Sequence, residues 1–255
     1  NLWKTLRFSP FDQILKHKMG SVLSAWKEDL VNACDYVMEE KIVKMPEILQ
    51  DERYIQWCLY ERWRKKRKGA SKYVRMQCPL ASVQQFSKAG QDINGSPRAL
   101  DFAIFNRSKE NPEDINTVPA VCVELSLAKM KNESSSQFRE RCLRDIFRLA
   151  YLRHHFKTEK AYFVMFGTEN QLFQVTESLK MLKGKESKLK WKDLEELGAK
   201  EELRKNLDCT CQSCGRLEMS CLKSVVPKLK IVHERVVMHK AYWCKIWEVD
   251  APPKR

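Results

Sequence analysis

Two acidic residues stand where packed strands would normally carry Val or Ile. Asp101 lies in "ALDFAIF" and Glu124 in "AVCVELSLAK", each flanked by apolar residues on both sides. A carboxylate is seldom buried unpaired, so two of them in consecutive apolar strands call for a partner. A divalent cation is one such partner. Mg²⁺ bound by one or two carboxylates and by phosphate oxygens can supply a nucleophilic water and stabilise an in-line phosphodiester displacement. Taken singly, each acid also has a plainer role: Asp101 as a strand-end cap, Glu124 as an edge-strand charge facing water.

The segments around the two acids predict the elements that position them. Val22, Leu23, Trp26, Leu30, Ala33, Val37 and Ile42 recur at helical spacing, and Pro46 suits the first turn of a second helix. That helix carries Ile48, Ile55, Leu59 and Trp63 on one side and ends in a basic cluster. A strand over 73–78, strands near 99–105 and 119–126, and a polar loop between the last two follow. Next comes an amphipathic helix with Phe138, Cys142, Ile146, Leu149 and Leu152 on one side. "KAYFVMFG" then reads as a strand buried on both faces. Beyond it the sequence predicts a helix near 168–182, a Lys-rich polar stretch over 183–190, a charged helix over 191–206 and a strand-like C-terminal region.

This order of elements resembles the PD-(D/E)xK nuclease superfamily, whose αβββαβ core carries an Asp on one strand and Asp/Glu-x-Lys on the next. The resemblance covers roughly residues 47–167. It implies an α/β fold, a restriction-endonuclease-like mixed sheet flanked by helices, with a C-terminal α+β appendage. The corresponding division is a helical segment over 1–46, a nuclease core over 47–182 and an appendage over 183–255. It further implies metal-dependent hydrolysis of nucleic acid, DNA before RNA, with Mg²⁺ or Mn²⁺ on Asp101 and Glu124. Glu52, in "LQDERYIQWCLYERW", matches the helix acid of the family, ahead of Glu61. Family members commonly act as dimers, so a homodimer or larger complex is allowed.

One departure is specific. Two residues after Glu124, where the family places Lys, this chain has Ser126. Either Lys129 or an arginine of the next helix, Arg141 or Arg144, replaces it, or the site folds without cutting. In the second case the chain is a nucleic-acid-binding or protein-interaction subunit.

The charge agrees with an anionic partner. Lys and Arg number 47 against 33 Asp and Glu, a formal net charge of +14. Two basic runs carry much of it. The first, "RWRKKRKGASK", offers Arg62, Arg64, Lys65, Lys66, Arg67 and Lys68 as phosphate contacts; the second is "KGKESKLKWK". The interleaved Trp57, Trp63 and Trp191 are expected in the core rather than stacked on bases. No apolar run approaches the roughly 18 residues that span a bilayer. The opening "NLWKTLRFSP" has no signal-like layout and no initiator Met, so a fragment in a reducing intracellular compartment, cytoplasm or nucleus, is expected.

"CTCQSCGRLEMSC" clusters Cys209, Cys211, Cys214 and Cys221. Four thiolates at this spacing can complete a tetrahedral Zn²⁺ site, with His233 or His239 as a substitute ligand; the plainer reading is a loop of free thiols. If the cluster binds zinc, elemental analysis should find about one equivalent. A Cys209→Ser/Cys211→Ser double variant should lose it, and a zinc-free wild type would sink the idea.

Overall fold

The computed structural model describes residues 25–66, 73–78, 99–105, 118–128, 133–155, 158–171, 186–188, 227–238 and 241–250. Its chain order is α1 (25–36), a π-helical turn Val37–Ile42, a 3-10 turn Pro46–Gln50, α2 (Glu52–Lys66), β1 (Val74–Cys78), β2 (Leu100–Ile104), β3 (Val121–Leu127), α3 (Ser135–His155), β4 (Lys160–Thr168), β5 (Glu186–Lys188), β6 (Lys228–Val237) and β7 (Tyr242–Asp250). It is a mixed α/β fold. The strands form one sheet in the order β1-β2-β3-β4-β7-β6-β5. Only β3 and β4 run parallel, joined by α3 as the crossover; the other neighbours are antiparallel.

Alternation along the strands gives each face of the sheet its own cover. Phe102 and Ile104 of β2, Val121, Val123, Leu125 and Leu127 of β3, and Tyr162, Val164 and Phe166 of β4 point one way. They form one cluster with Trp26 and Leu30 of α1, Val37 of the π-helical turn, and Ile55, Leu59 and Trp63 of α2. Trp63 meets Phe102 edge to face, with ring centroids 5.1 Å apart. Each such side chain contributes about 1.5–3 kcal/mol when fully buried. The opposite face carries Asp101, Cys122, Glu124 and Ser126, and α3 covers it. Phe138, Cys142, Ile146, Leu149 and Leu152, the predicted apolar side of α3, are all buried.

The helix predicted to start near Pro46 is broken. Asp51 is extended (φ −124°, ψ 94°), and its Oδ1 accepts the Tyr54 N–H at 3.1 Å. This is N-cap geometry, so α2 begins afresh and Glu52 takes its first position. The C-terminal region also differs from the reading. Residues 228–250 fold into a hairpin turned at Met238, whose φ is +51°, with Ala241 N–H donating to Met238 O at 2.9 Å. A left-handed Met gives no Gly or Asn signal in the sequence. β7 pairs along β4 and is buried through Trp243, Cys244, Ile246 and Trp247. The strands assigned to an appendage therefore extend the central sheet, and the helix assigned to the N-terminal segment packs into the same core. β5 falls within the stretch read as polar; of the helix predicted over 168–182, residues 169–171 are described and helical. The helix predicted over 191–206 lies outside the described residues. No described helix is long and apolar enough to cross a membrane.

Gly167, near the end of β4, gives a sharp test of this packing. A Cβ there would lie 2.5 Å from the Ala128 Cβ and 3.0 Å from Trp243 Cζ2. Gly167→Ala should destabilise the protein by about 1–3 kcal/mol, the usual scale of overpacking. Thermal unfolding measures it, and an unchanged Tm would contradict the described approach of β3, β4 and β7.

Candidate carboxylate and guanidinium site

The β2/β3 register pairs Phe102 with Val123 and Ala103 with Cys122. Continued by one residue, it sets Asp101 directly opposite Glu124 on the α3 face. Both are buried, at 8% and 2% exposure. Asp101 is held by three donors: the Leu125 N–H to Oδ2 at 2.7 Å, and the carboxamides of Gln56 and Gln77 to Oδ1 at 2.8 and 2.9 Å. Gln77 also donates to Gln56 Oε1 at 2.9 Å. Its φ of +51° is uncommon for a residue with a side chain, and this network is what fixes it there.

Glu124 meets a cation from the helix above. Arg148 Nη1 donates to Glu124 Oε1 at 2.5 Å, and Nη2 reaches Asp145 Oδ1, one helical turn earlier, at 3.2 Å. Arg148 and Asp145 are themselves buried. A second guanidinium closes the other end. Arg141 grips Glu133 with Nε and Nη2, both at 2.9 Å, and donates from Nη2 to Leu127 O at 2.9 Å. It also donates to the Ser126 hydroxyl and lies 3.6 Å from Glu52 Oε2. Of the two arginines named as replacements for the missing Lys, α3 therefore places Arg141 beside Ser126. An arginine stays charged and cannot take a proton from water, so it supplies fixed positive charge there, not a base.

Among the described residues at the site, carboxylates outnumber guanidinium groups. Glu52, Asp101, Glu124 and Asp145 face Arg141 and Arg148. Burial raises the Asp101 carboxyl to about 6 against the help of the Leu125 N–H. Burial likewise lifts Glu124 well above the usual carboxylate range; Arg148 opposes this, while Asp101 and Asp145 reinforce it. The two carboxyls act on each other: each lies close enough to influence the other's ionisation, and burial disfavours charging both. Glu52 is pushed up to about 8, first by burial and then by the charge of Asp101, with Arg141 only partly offsetting it. Its Oε2 is buried without a hydrogen bond.

Among the described residues no group of three or more His, Cys, Asp or Glu is arranged to hold a metal ion. Mg²⁺ needs only one or two carboxylates, with water and phosphate oxygens completing its shell. Asp101 and Glu124 are two such oxygen donors, and in this arrangement they accept from Gln56, Gln77, the Leu125 N–H and Arg148.

The remaining predicted residues fall elsewhere. Arg64 pairs with Glu61 at 3.3 Å, Lys66 with Asp29 at 3.5 Å, and Arg62 lies over the Tyr36 ring at 4.6 Å. His233 is bound to Asp35 at 2.8 Å. Lys129, Arg67, Lys68, His239, Trp191 and the four clustered cysteines lie outside the described residues, as does the side chain of Arg144. Trp63 is in the core as expected, but Trp57 is not: it is 47% exposed. Sequence reasoning did not single out Gln56, Gln77, Asp145 or Arg148. For the last two a signal existed. They sit at steps of three between Cys142 and Leu152, on the buried stripe of α3, where charges need partners.

No protein-family model matches the chain, and no curated protein or solved structure matches it either. What is established is the class, a mixed α/β fold with one central sheet, and the site rests on its own geometry.

The raised carboxyls have a definite consequence for stability. Between the unfolded and folded values the native state binds more protons than the unfolded chain. The contribution of Asp101 and Glu52 is therefore complete below about pH 4 and is lost as pH rises through about 6 and then about 8; the raised Glu124 acts in the same direction. In EDTA, wild-type stability to urea should fall between pH 5 and 8. Glu52→Gln should flatten the upper part of that fall and gain about 1–3 kcal/mol at pH 8. A wild type equally stable at pH 5 and 8 would contradict the under-neutralised cluster.

Proposed function

We propose that the chain hydrolyses phosphodiester bonds in nucleic acid, with DNA the expected substrate and Mg²⁺ or Mn²⁺ the cofactor. One observation carries this: two buried carboxylates from adjacent strands, Asp101 and Glu124, face each other across β2 and β3. The order helix, three strands, helix, strand, with β3 and β4 parallel, supports the resemblance to the PD-(D/E)xK superfamily and a restriction-endonuclease-like fold. The net charge of +14 supports an anionic substrate.

In this reading Asp101 and Glu124 hold the cation and Glu52 is an accessory ligand. When bound, the metal supplies an activated water and charge stabilisation at the scissile phosphate. The chain's own groups do the rest. Gln56, Gln77 and the Leu125 N–H orient Asp101 through its bonds of 2.7–2.9 Å. Arg148 steadies Glu124. Arg141, anchored on Glu133, presents positive charge where the family's lysine would stand. Lys129 remains the nearest lysine in sequence to that position.

Two features favour a second reading, a nuclease-derived binding or assembly subunit. Ser126 replaces the motif lysine, and Arg148 holds Glu124 at 2.5 Å, as a guanidinium standing in for a metal would. Cleavage of plasmid and single-stranded DNA in Mg²⁺ and Mn²⁺ separates the two. The hydrolase reading expects wild type to cut and Asp101→Ala and Glu124→Ala to lose about a hundredfold or more, the scale of removing a positioned catalytic group. No cutting by any of the three, or equal cutting by all, would leave only the binding subunit.

A further inference from the structure

A cavity of about 300 Å³ opens between the π-helical turn and α2, away from the carboxylates. Its α2 wall is a single stripe, Tyr54, Trp57, Cys58, Glu61 and Lys65, at the three- and four-residue steps that share one helix face. Tyr36, Lys41 and Arg62 complete the lining. The volume lies at the small end of the range for ligand sites.

Its chemistry is unusual for a surface cleft. Trp57 is 47% exposed, whereas Trp63, six residues further along the same helix, is 1% exposed and fully in the core. Trp57 lies 6.1 Å from the Tyr60 ring, tilted by 41°. The cations divide in the same way. Lys44, Arg64 and Lys66 are spent on Glu40, Glu61 and Asp29. Lys41, Arg62 and Lys65, which line the cavity, form no ion pair within 4 Å with a described carboxylate, although the charge of Lys41 is felt by Glu40. Arg62 is instead fixed over the Tyr36 ring at 4.6 Å, with Lys41 5.9 Å from the same ring. The one acid in the lining, Glu61, has its charge met by Arg64, which lies 3.3 Å from its buried Oε1. Lys41 comes from the π-helical turn, a local widening that recurs at functional sites.

We propose that this cavity binds an unpaired nucleotide of single-stranded nucleic acid. The base stacks on Trp57, and Lys41, Arg62 and Lys65 meet the flanking phosphates. An aromatic platform beside unpaired cations is the combination that holds single strands without regard to sequence. A base inside a duplex has no free face to offer. A polymer fits better than a free nucleotide because three cations line a cavity with room for about one base, more positive charge than one phosphate needs. The proposal deepens the hydrolase reading by naming the form of its substrate, but it concerns binding and needs no turnover.

The test uses the full chain in EDTA, so that failure of the metal site cannot affect it. Fluorescence anisotropy would follow a labelled 12-nucleotide single strand, the same sequence as duplex, and AMP as a competitor. Wild type should bind the single strand more tightly than the duplex. Trp57→Ala should weaken single-strand binding about tenfold or more with an unchanged Tm, and Trp57→Phe should restore part of the loss. An Arg62→Ser/Lys65→Ser variant, which leaves the aromatics in place, should lower the salt dependence of binding by about one to two phosphate contacts. Trp57→Ala binding within twofold of wild type, or an unaltered salt slope in the double variant, would overturn the site. AMP competing as strongly as the oligonucleotide would overturn the polymer as ligand.

Discussion

Two acids that share a cross-strand position, out of water, cannot both be ionised without help. This electrostatic constraint at Asp101 and Glu124 governs much of the surrounding structure. Asp101 accepts three hydrogen bonds, one from its neighbour strand and two from carboxamides on α2 and β1. Glu124 receives Arg148, which is anchored in turn by Asp145. Each of these groups would be expensive to bury alone. Together they form a polar seam through an otherwise apolar sheet, and the seam fixes where α2, α3 and β1 can sit.

The topology makes this seam available. Because β3 and β4 are parallel, the chain must cross over between them, and α3 is that crossover. Its buried stripe lies above the acidic face, so one helix delivers Arg141, Asp145 and Arg148 to both ends of the cluster. α2 approaches from the other side of the sheet and contributes through its beginning, where the Asp51 cap fixes Glu52 and Gln56 within reach. From Tyr54 onward the same helix turns a separate stripe toward the aromatic cavity. One element thus serves two sites by presenting different faces.

Much of this was legible before any coordinates. The periodicity of α1 and α3, the burial of β4 and the placement of Asp101 and Glu124 in consecutive strands follow from spacing and composition. Other parts were hidden for physical reasons. The break at Asp51 depends on a cap that competes with a continuous apolar pattern. The β6/β7 hairpin turns on a left-handed Met238 with no turn-forming residue to mark it. Gln56 and Gln77 matter through tertiary hydrogen bonds, and glutamine carries no periodic signature. Trp57 was expected in the core because a tryptophan usually is; only the packed structure separates its face of α2 from that of Trp63.

The sheet order has a consequence for how the molecule comes together. β4 lies between β3 and β7, and β7 carries residues 242–250, about eighty positions later in sequence than the strand it joins. His233 and Arg235 on β6 are tied to Asp35 and Glu39 at the start of the chain's helical layer. During synthesis, the central strand must wait with one edge unsatisfied until nearly the last described residue has left the ribosome. Early and late segments thus complete the same core.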